Sequence, residues 1–330
     1  MSEINAQKIL ITGGAGFIGY NLALRLSEQP SNQLVLVDNL TRGKMDAEFA
    51  ALIERENVQF ISADLTDPTA YEQLGGDYDE VYHLVAILGV QNVLNNPHHV
   101  LRVNGIATWT MLEWFVESGS KKLLFSSTSE AYAWTQQFHT LPIPTPEDVP
   151  LSLTDLSSPR SSYAGSKIFS ELAVTQYCQA YDKPFTILRY HNVYGPRMGH
   201  DHVIPQLFYR ALEGENPLNV YSANYQRAFC YVSDAVTATI KAMQNEKANG
   251  QTFNVGNEQE EIVIGELAQR ILATGDIQAN IQEQVADHDP IKRRCPDISR
   301  ARQILNYAPE VTLDEGLKLT LAWYADRFKT

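Results

Sequence analysis

The stretch Lys8-Ile-Leu-Ile-Thr-Gly-Gly-Ala-Gly-Phe-Ile-Gly19 narrows what this chain can fold into more than any other. It reads as a short apolar strand, Lys8–Thr12, then a glycine turn, then a helix beginning around Gly16. Gly14, Gly16 and Gly19 fit G-x-G-x-x-G, with Gly13 one step ahead. Gly13 and Gly14 allow a sharp turn with positive φ. Gly16 lets a pyrophosphate approach the main chain without meeting a Cβ, and Gly19 lets the helix lie close on the strand. The helix start, with Phe17 and Ile18, points N–H groups at the phosphates.

The flanks agree with this. Phe17, Ile18, Leu22, Leu24 and Leu26 make a mostly apolar helix, and a second strand, Gln33–Val37, ends at Asp38, nineteen residues past Gly19. An acid at that distance accepts hydrogen bonds from an adenosine ribose, and its charge repels a 2′-phosphate, so NAD is favoured over NADP. The alternative is a glycine turn in another kind of α/β protein, with Asp38 a solvated loop acid.

A chain of 330 residues holds one large or two smaller domains and buries a sizeable core. Its net charge is −13 and it has no long basic run, which argues against nucleic acid or an anionic membrane as partner. In so acidic a chain, arginines that meet an anionic ligand must be gathered locally. The three cysteines, Cys178, Cys230 and Cys295, are widely spaced, which fits neither a disulfide framework nor a zinc site. Met-Ser-Glu-Ile-Asn does not read as a signal peptide, and the longest apolar run, Val81–Val90, is too short to span a bilayer. The expectation is a cytoplasmic protein.

Strands are expected at Val58–Ile61, Asp79–Ala86, Lys121–Ser126 and Phe185–Tyr190, and helices from Pro97 to about Ser118 and over Ser161–Tyr181. Asp64, just past the third strand, either meets an adenine amino group or caps the next helix. Ile87–Asn96 reads as a loop, and Asn104, inside the long helix, as a solvated or capping residue. Residues 135–160 are rich in Pro, Thr and Ser and suggest a functional loop. Strand–helix alternation over the first 190 residues implies an α/β fold, a Rossmann-like doubly wound parallel sheet covered on both faces. Beyond Gly195 the alternation weakens, with helices at about Val203–Glu213, Asp297–Ile304 and Leu313–Phe328 and strands at Leu218–Val220 and Thr252–Val255. Residues 1–190 thus form the dinucleotide-binding core and 191–330 mainly a smaller substrate-binding lobe, with some return to the core.

The chemistry centres on Ser162-Tyr163-Ala-Gly-Ser-Lys167. Tyr163 and Lys167 are four apart and share a helix face. A free tyrosine, with pKa near 10, is a poor base at neutral pH. A lysine ammonium and the positive nicotinamide ring both favour the phenolate, which then takes a proton from a sugar hydroxyl. Ser127-Thr128, after the fifth strand, supplies a hydroxyl for the same substrate oxygen.

Gly13–Gly19, Asp38, Asp64, His83-Leu-Val-Ala86, Ser127-Thr128 and Tyr163/Lys167 together resemble the extended short-chain dehydrogenase/reductase family, over nearly the whole chain. Arg189-Tyr-His-Asn-Val-Tyr-Gly-Pro-Arg197, Arg227-Ala-Phe-Cys-Tyr-Val-Ser-Asp234, Phe253-Asn-Val-Gly-Asn257 and Arg293-Arg-Cys-Pro-Asp297 are similar to the substrate-domain signatures of its nucleotide-sugar epimerases, dehydratases and decarboxylases. The resemblance implies NAD on Gly13, Gly16, Phe17, Ile18, Asp38, Asn39, Asp64, Leu65, Tyr163 and Lys167. It implies a nucleotide sugar, UDP-linked, on Ser129, Asn192, Arg227 and Arg294, and a homodimer formed through the helices around 97–118 and 161–181.

Members of that group oxidise C4 of the sugar to a ketone. Thr128-Ser129-Glu130 resembles the hexuronate decarboxylases, which implies Thr128 and Glu130 as catalytic residues beside Tyr163 and Lys167. The order of expectation is decarboxylation of a UDP-hexuronate such as UDP-glucuronate, then C4 epimerisation, then 4,6-dehydration. A non-catalytic NAD-binding regulatory module is the rival from another class. His200 and His202, on the loop after Arg197, are candidates for sugar contact, and no metal site is expected.

Overall fold

Val, Ile and Leu fill consecutive positions in Ile9–Ile11 and Leu34–Val37, and such runs form strands buried on both faces. A computed structural model describes residues 6–138, 141–284 and 291–328. The initial Met-Ser-Glu-Ile-Asn and residues 139–140 of the Pro-rich stretch lie outside the described residues. In chain order come β1 (Lys8–Thr12), α1 (Phe17–Ser27), β2 (Gln33–Asp38), α2 (Ala47–Ile53) and β3 (Val58–Ser62). They are followed by β4 (Glu80–His83), α3 (Val90–Asn95), α4 (Pro97–Glu117), β5 (Lys122–Thr128), α5 (Thr135–Phe138), α6 (Ser161–Ala180) and β6 (Phe185–Tyr190). Next are β7 (Val193–Tyr194), α7 (Val203–Leu212), β8 (Leu218–Tyr221), β9 (Gln226–Ala228), β10 (Cys230–Tyr231), α8 (Val232–Gln244) and β11 (Gln251–Val255). The chain ends with β12 (Glu261–Val263), α9 (Ile264–Thr274), β13 (Ile281–Gln284), β14 (Arg293–Arg294), α10 (Ser299–Leu305) and α11 (Leu313–Phe328).

Seven strands form one sheet in the order β11-β6-β5-β4-β1-β2-β3. β1 pairs in parallel with both β2 and β4, so the order reverses between β1 and β4, the switch point at which such sheets bind ligands. Register stacks one face: Leu10 stands beside Val35 and Val81, and Val81 beside Leu123. Ala107, Met111, Leu112 and Phe115 of α4 and Ala173, Val174 and Cys178 of α6 bury that face. Each such Leu or Phe contributes roughly 1.5–3 kcal/mol when buried.

Two local expectations change. β4 stops at His83 rather than Ala86, because Leu84 donates its N–H to Thr12 O at 3.1 Å and the chain then passes over the glycine turn. The expected loop Ile87–Asn96 contains α3, which starts after Gly89 at φ 104. Pro97 opens α4 as a separate helix, at the position where its missing N–H does no harm.

The chain divides into two compact units. The first comprises Met1–Ala131, Leu153–Arg189 and Thr239–Phe253, and the second Tyr132–Ser152, Tyr190–Ala238 and Asn254–Thr330. Set beside a cut after residue 190, residues 132–152 therefore sit with the second unit and 239–253 with the first. The second unit has three small sheets: β7 with β10, β12-β9-β14, and β8 with β13. Burial pushes the thiols of Cys178, Cys230 and Cys295 up to about 12, so they remain protonated.

Two glycines give opposite expectations. A Cβ on Gly19 would lie 2.1 Å from Gly13 O, a backbone atom that has no room to give. Gly19→Ala is expected to lower stability by several kcal/mol, or about the upper range for single substitutions. Gly105, inside α4, would place its Cβ 3.8 Å from the Phe169 ring, an ordinary contact. Gly105→Ala is expected to raise stability by about 0.5–1 kcal/mol. Urea unfolding of the two variants checks both signs.

Candidate active site

At the switch point the chain leaves Thr12 and turns through Gly13 at φ +73. A Cβ on Gly13 would lie 3.0 Å from the backbone of Leu84 and Val85, just after β4. Gly16 differs, since its Cβ would meet only Gly13 O, at 3.2 Å. The first helical bond of α1 runs from Tyr20 N to Gly16 O at 2.9 Å, so Phe17 and Ile18 precede the ladder. The result is an open cradle at the N-terminus of an eleven-residue helix, which fits a dinucleotide pyrophosphate.

Asp38 ends β2 and is buried, so it is not a solvated loop acid. Its carboxylate accepts from Ala15 N at 3.1 Å and Leu40 N at 2.8 Å, tying the strand end to the glycine turn. Burial pushes its pKa up, and backbone N–H groups of Leu40, Ala15 and Gly16 oppose that. A carboxylate has about four lone-pair sites, so capacity remains for a ribose hydroxyl. Asn39 is exposed and accepts from Thr41 N at 3.0 Å. Asp64 does not cap a helix: it accepts from Thr66 N and Thr66 Oγ1, each at 2.9 Å, and Asp67 caps the next turn through Thr69 N. Leu65 is buried, with its carbonyl accepting from Thr110 Oγ1 at 2.6 Å.

Thr128, the last residue of β5, and Tyr163, in the first turn of α6, are joined by a hydrogen bond between their side chains. Ser129 is buried, and Glu130 donates its N–H to Thr128 Oγ1 at 3.2 Å. The Glu130 charge acts on the Tyr163 phenol, as does Arg42 with opposite sign, but burial dominates and pushes the phenol up to about 12. The Lys167 ammonium donates to Ser126 O at 2.7 Å and lies 4.8 Å from the Phe125 ring centre. Burial draws it down to about 7, against the charge of Glu171. In the chain alone, burial disfavours the charged form of both side chains.

Of the Ser127-Thr128 pair, Thr128 meets Tyr163 and Ser127 turns its hydroxyl to Glu171. One expectation is revised. Asn104 is neither solvated nor a cap: it is buried, holds Ile87 N at 2.7 Å and Ile87 O at 3.0 Å, and donates to Ser166 Oγ at 3.2 Å. It thereby pins the loop after β4 to α4 and α6. His83, at the end of β4, is hydrogen-bonded to Thr12 Oγ1 at 2.9 Å, and burial with the Lys167 charge keeps it neutral, drawn down to about 3.

In the second unit, β9 and β14 place Arg227 directly beside Arg294. Arg227 already donates to Ile291 O at 2.8 Å and Gln226 O at 2.8 Å. Asn192, at φ 37, donates to Ala228 O at 3.0 Å, next to Arg227. His200 packs on the Tyr209 ring at 4.5 Å, and His202 precedes the first turn of α7. Among the described residues no group of His, Cys, Asp and Glu is arranged to hold a metal, and no helix is long and apolar enough to cross a membrane.

Arg42 and Glu171 escaped the sequence reading, and Asn104 was read there without its partners. Only Glu171 carried a signal, four residues past Lys167 on the same helix face. Arg42 and Asn104 reach their partners through long-range contacts that no local pattern encodes.

The Tyr163 phenol is expected to ionise only toward pH 12 in the protein without ligands. The ultraviolet difference between wild type and Tyr163→Phe should then show no tyrosinate step below about pH 10. A step near neutrality would contradict this account.

Comparison with known proteins agrees with the geometry. Residues 9–256 match the NAD dependent epimerase/dehydratase family. The chain is 34% identical over 329 residues to a UDP-N-acetyl-alpha-D-glucosaminuronate decarboxylase of Bacillus cytotoxicus, covering 97% of this chain and 98% of that one. It is 32% identical over 329 residues to UDP-glucuronic acid decarboxylase 1 of Danio rerio, covering 98% of this chain and 74% of that one. Among solved structures, UDP-glucuronic acid 4-epimerase from Bacillus cereus in complex with NAD superposes with a TM-score of 0.83 at 28% identity, over 98% of each chain. With its glycine cradle, its switch point and its paired Tyr163 and Thr128, the chain belongs to the NAD-dependent epimerase/dehydratase family.

Proposed function

We propose that this protein is an NAD-dependent UDP-hexuronate decarboxylase that works through a 4-keto sugar. The observation that carries the reading is the meeting of Thr128, Tyr163 and Glu130: a hydroxyl pair with a carboxylate charge acting on the same phenol. The identity to two UDP-sugar decarboxylases supports the choice among family reactions.

Gly13, Gly16, Phe17 and Ile18 would hold the NAD pyrophosphate, with Asp38, Asn39, Asp64 and Leu65 toward the adenosine. Bound there, NAD would supply a reversible hydride acceptor for C4. Tyr163 takes the proton of the C4 hydroxyl, and Thr128 holds that oxygen in line. Lys167 supplies the positive charge beneath the site. A ketone at C4 makes the hexuronate a β-keto acid, so the bond from C5 to its carboxylate is weakened. As CO₂ leaves, the C5 bonding electrons form an enolate with C4, and Glu130 relays a proton from water to C5. Asn192, Arg227 and Arg294 bind the nucleotide diphosphate, and Ser129 contacts the sugar.

A homodimer is part of the reading. Leu101 and Trp109 on α4 and Phe169 and Leu172 on α6 are exposed apolar side chains, with Trp109 stacked on Phe169. A second copy of the same helices would cover them.

Incubation with NAD and UDP-glucuronate or UDP-N-acetylglucosaminuronate, followed by mass spectrometry, is expected to show loss of CO₂. A product of unchanged mass inverted at C4 would make the enzyme an epimerase instead. Tyr163→Phe is expected to lower kcat by about 10²–10⁴ while sugar-nucleotide binding persists. Leu172→Glu is expected to halve the sedimenting mass from about twice 37.0 kDa without unfolding the chain; a wild-type monomer at micromolar concentration would remove the dimer from the reading.

A further inference from the structure

Three successive turns of α6 meet three successive residues of β5. The Tyr163 side chain hydrogen-bonds Thr128, Lys167 Nζ donates to Ser126 O, and Ser127 Oγ donates to Glu171 Oε1. Tyr163, Lys167 and Glu171 are each four residues apart and so share a helix face. The third rung has its own support. Arg189, on β6, grips Glu171 with two bonds, Nε to Oε1 at 2.9 Å and an η nitrogen to Oε2 at 2.6 Å. Both side chains are buried, exposed by 7% and 8%.

A buried ion pair is an expensive way to hold two elements together. An apolar pair of similar volume is often as stable or more so. This one lies one turn from a buried ammonium. Around Lys167, α6 presents Glu171, β4 presents His83, and β5 presents the Ser126 carbonyl and the Phe125 ring; Arg189 of β6 grips Glu171. His83 is neutral and Tyr163 protonated, so Glu171 is the negative charge that acts on Lys167.

We propose that Glu171, clamped by Arg189, is a positioning residue: through Ser127 it holds the end of β5 in step with α6, and it is the countercharge of Lys167. This rests on the proton-transfer reading of Tyr163 and Lys167 given above. It adds that the reaction depends on a carboxylate that touches neither substrate nor cofactor.

Glu171→Gln alone leaves Arg189 without its countercharge and risks misfolding, so the test is the apolar pair Glu171→Met with Arg189→Met. A merely structural ion pair is rescued by that exchange. The positioning role predicts a folded protein in which kcat falls roughly tenfold or more, with KM changed by less than about twofold, a part of what placed proton transfer contributes. Lys167 without its countercharge loses its proton at lower pH. The alkaline limb of kcat is therefore expected to move down by about one unit. Wild-type kcat and an unmoved limb would overturn the proposal. Should the pair not fold, Ser127→Ala removes the link to β5 alone; a several-fold drop in kcat at constant KM supports the proposal, and wild-type kcat overturns it.

Tyr163→Phe and Lys167→Met, assayed alongside, test the underlying reading separately. If they retain turnover, or if no sugar nucleotide is turned over, that reading fails. The Glu171 coupling is then read from ¹³C-lysine NMR titration, with the Lys167 signal identified by its absence in Lys167→Met. A titration midpoint lowered in the apolar pair supports the coupling, and an unchanged midpoint refutes it.

Discussion

The closest backbone approach in the first unit sets the rest of the site. α1 lies on β1 with nothing between Gly19 and the Gly13 carbonyl, where a single Cβ would sit at 2.1 Å. That approach aims the helix N-terminus along the strand end. The missing Cβ of Gly13 leaves room for the segment after β4 to pass over it, and Ala15 in the same turn lies where Asp38 reaches it. Strand order does the remainder. Because β1 lies between β2 and β4, connections depart to opposite sides and open a crevice at their carboxyl ends. Asn104 then fixes one wall, gripping both backbone groups of Ile87.

A second constraint is electrostatic. Burial raises Tyr163 and lowers Lys167, so it disfavours the charged form of each. A positive charge arriving at the site changes the balance for the phenol, whereas the chain's contribution is to keep one lysine in a dry place without losing its proton altogether. The Ser126 carbonyl, the Phe125 ring and the Glu171 charge serve that end. The second unit handles charge differently. Arg227 and Arg294 are held side by side by strand register.

Much of this was legible before any coordinates. The strands β1, β2, β3, β5 and β6 and the helices α1, α4, α6 and α11 lie within a residue or two of where periodicity and turn residues put them. Patterns of period two or near four report local geometry, and these elements have long, clean patterns. The pieces not expected, α3, α5 and the short strands β7, β9, β10, β12, β13 and β14, are two to six residues long, and the strands exist by pairing with distant segments. β4 was overextended because Leu84, Val85 and Ala86 are as apolar as a strand, and only the neighbouring glycine turn bends them away.

The site divides along the same line. Sequence by itself determined the dinucleotide turn, the acid ending β2, and the pair Tyr163 and Lys167, since each is a local spacing imposed by helix or turn geometry. Tertiary structure alone decided how those groups are used. It turned Ser127 toward Glu171 and left Thr128 to Tyr163, made Asp38 a strut as well as a candidate ligand, and brought Arg227 beside Arg294 from 67 positions away. Hydrogen bonds and burial depend on which distant atoms arrive at a side chain, and no local repeat carries that information.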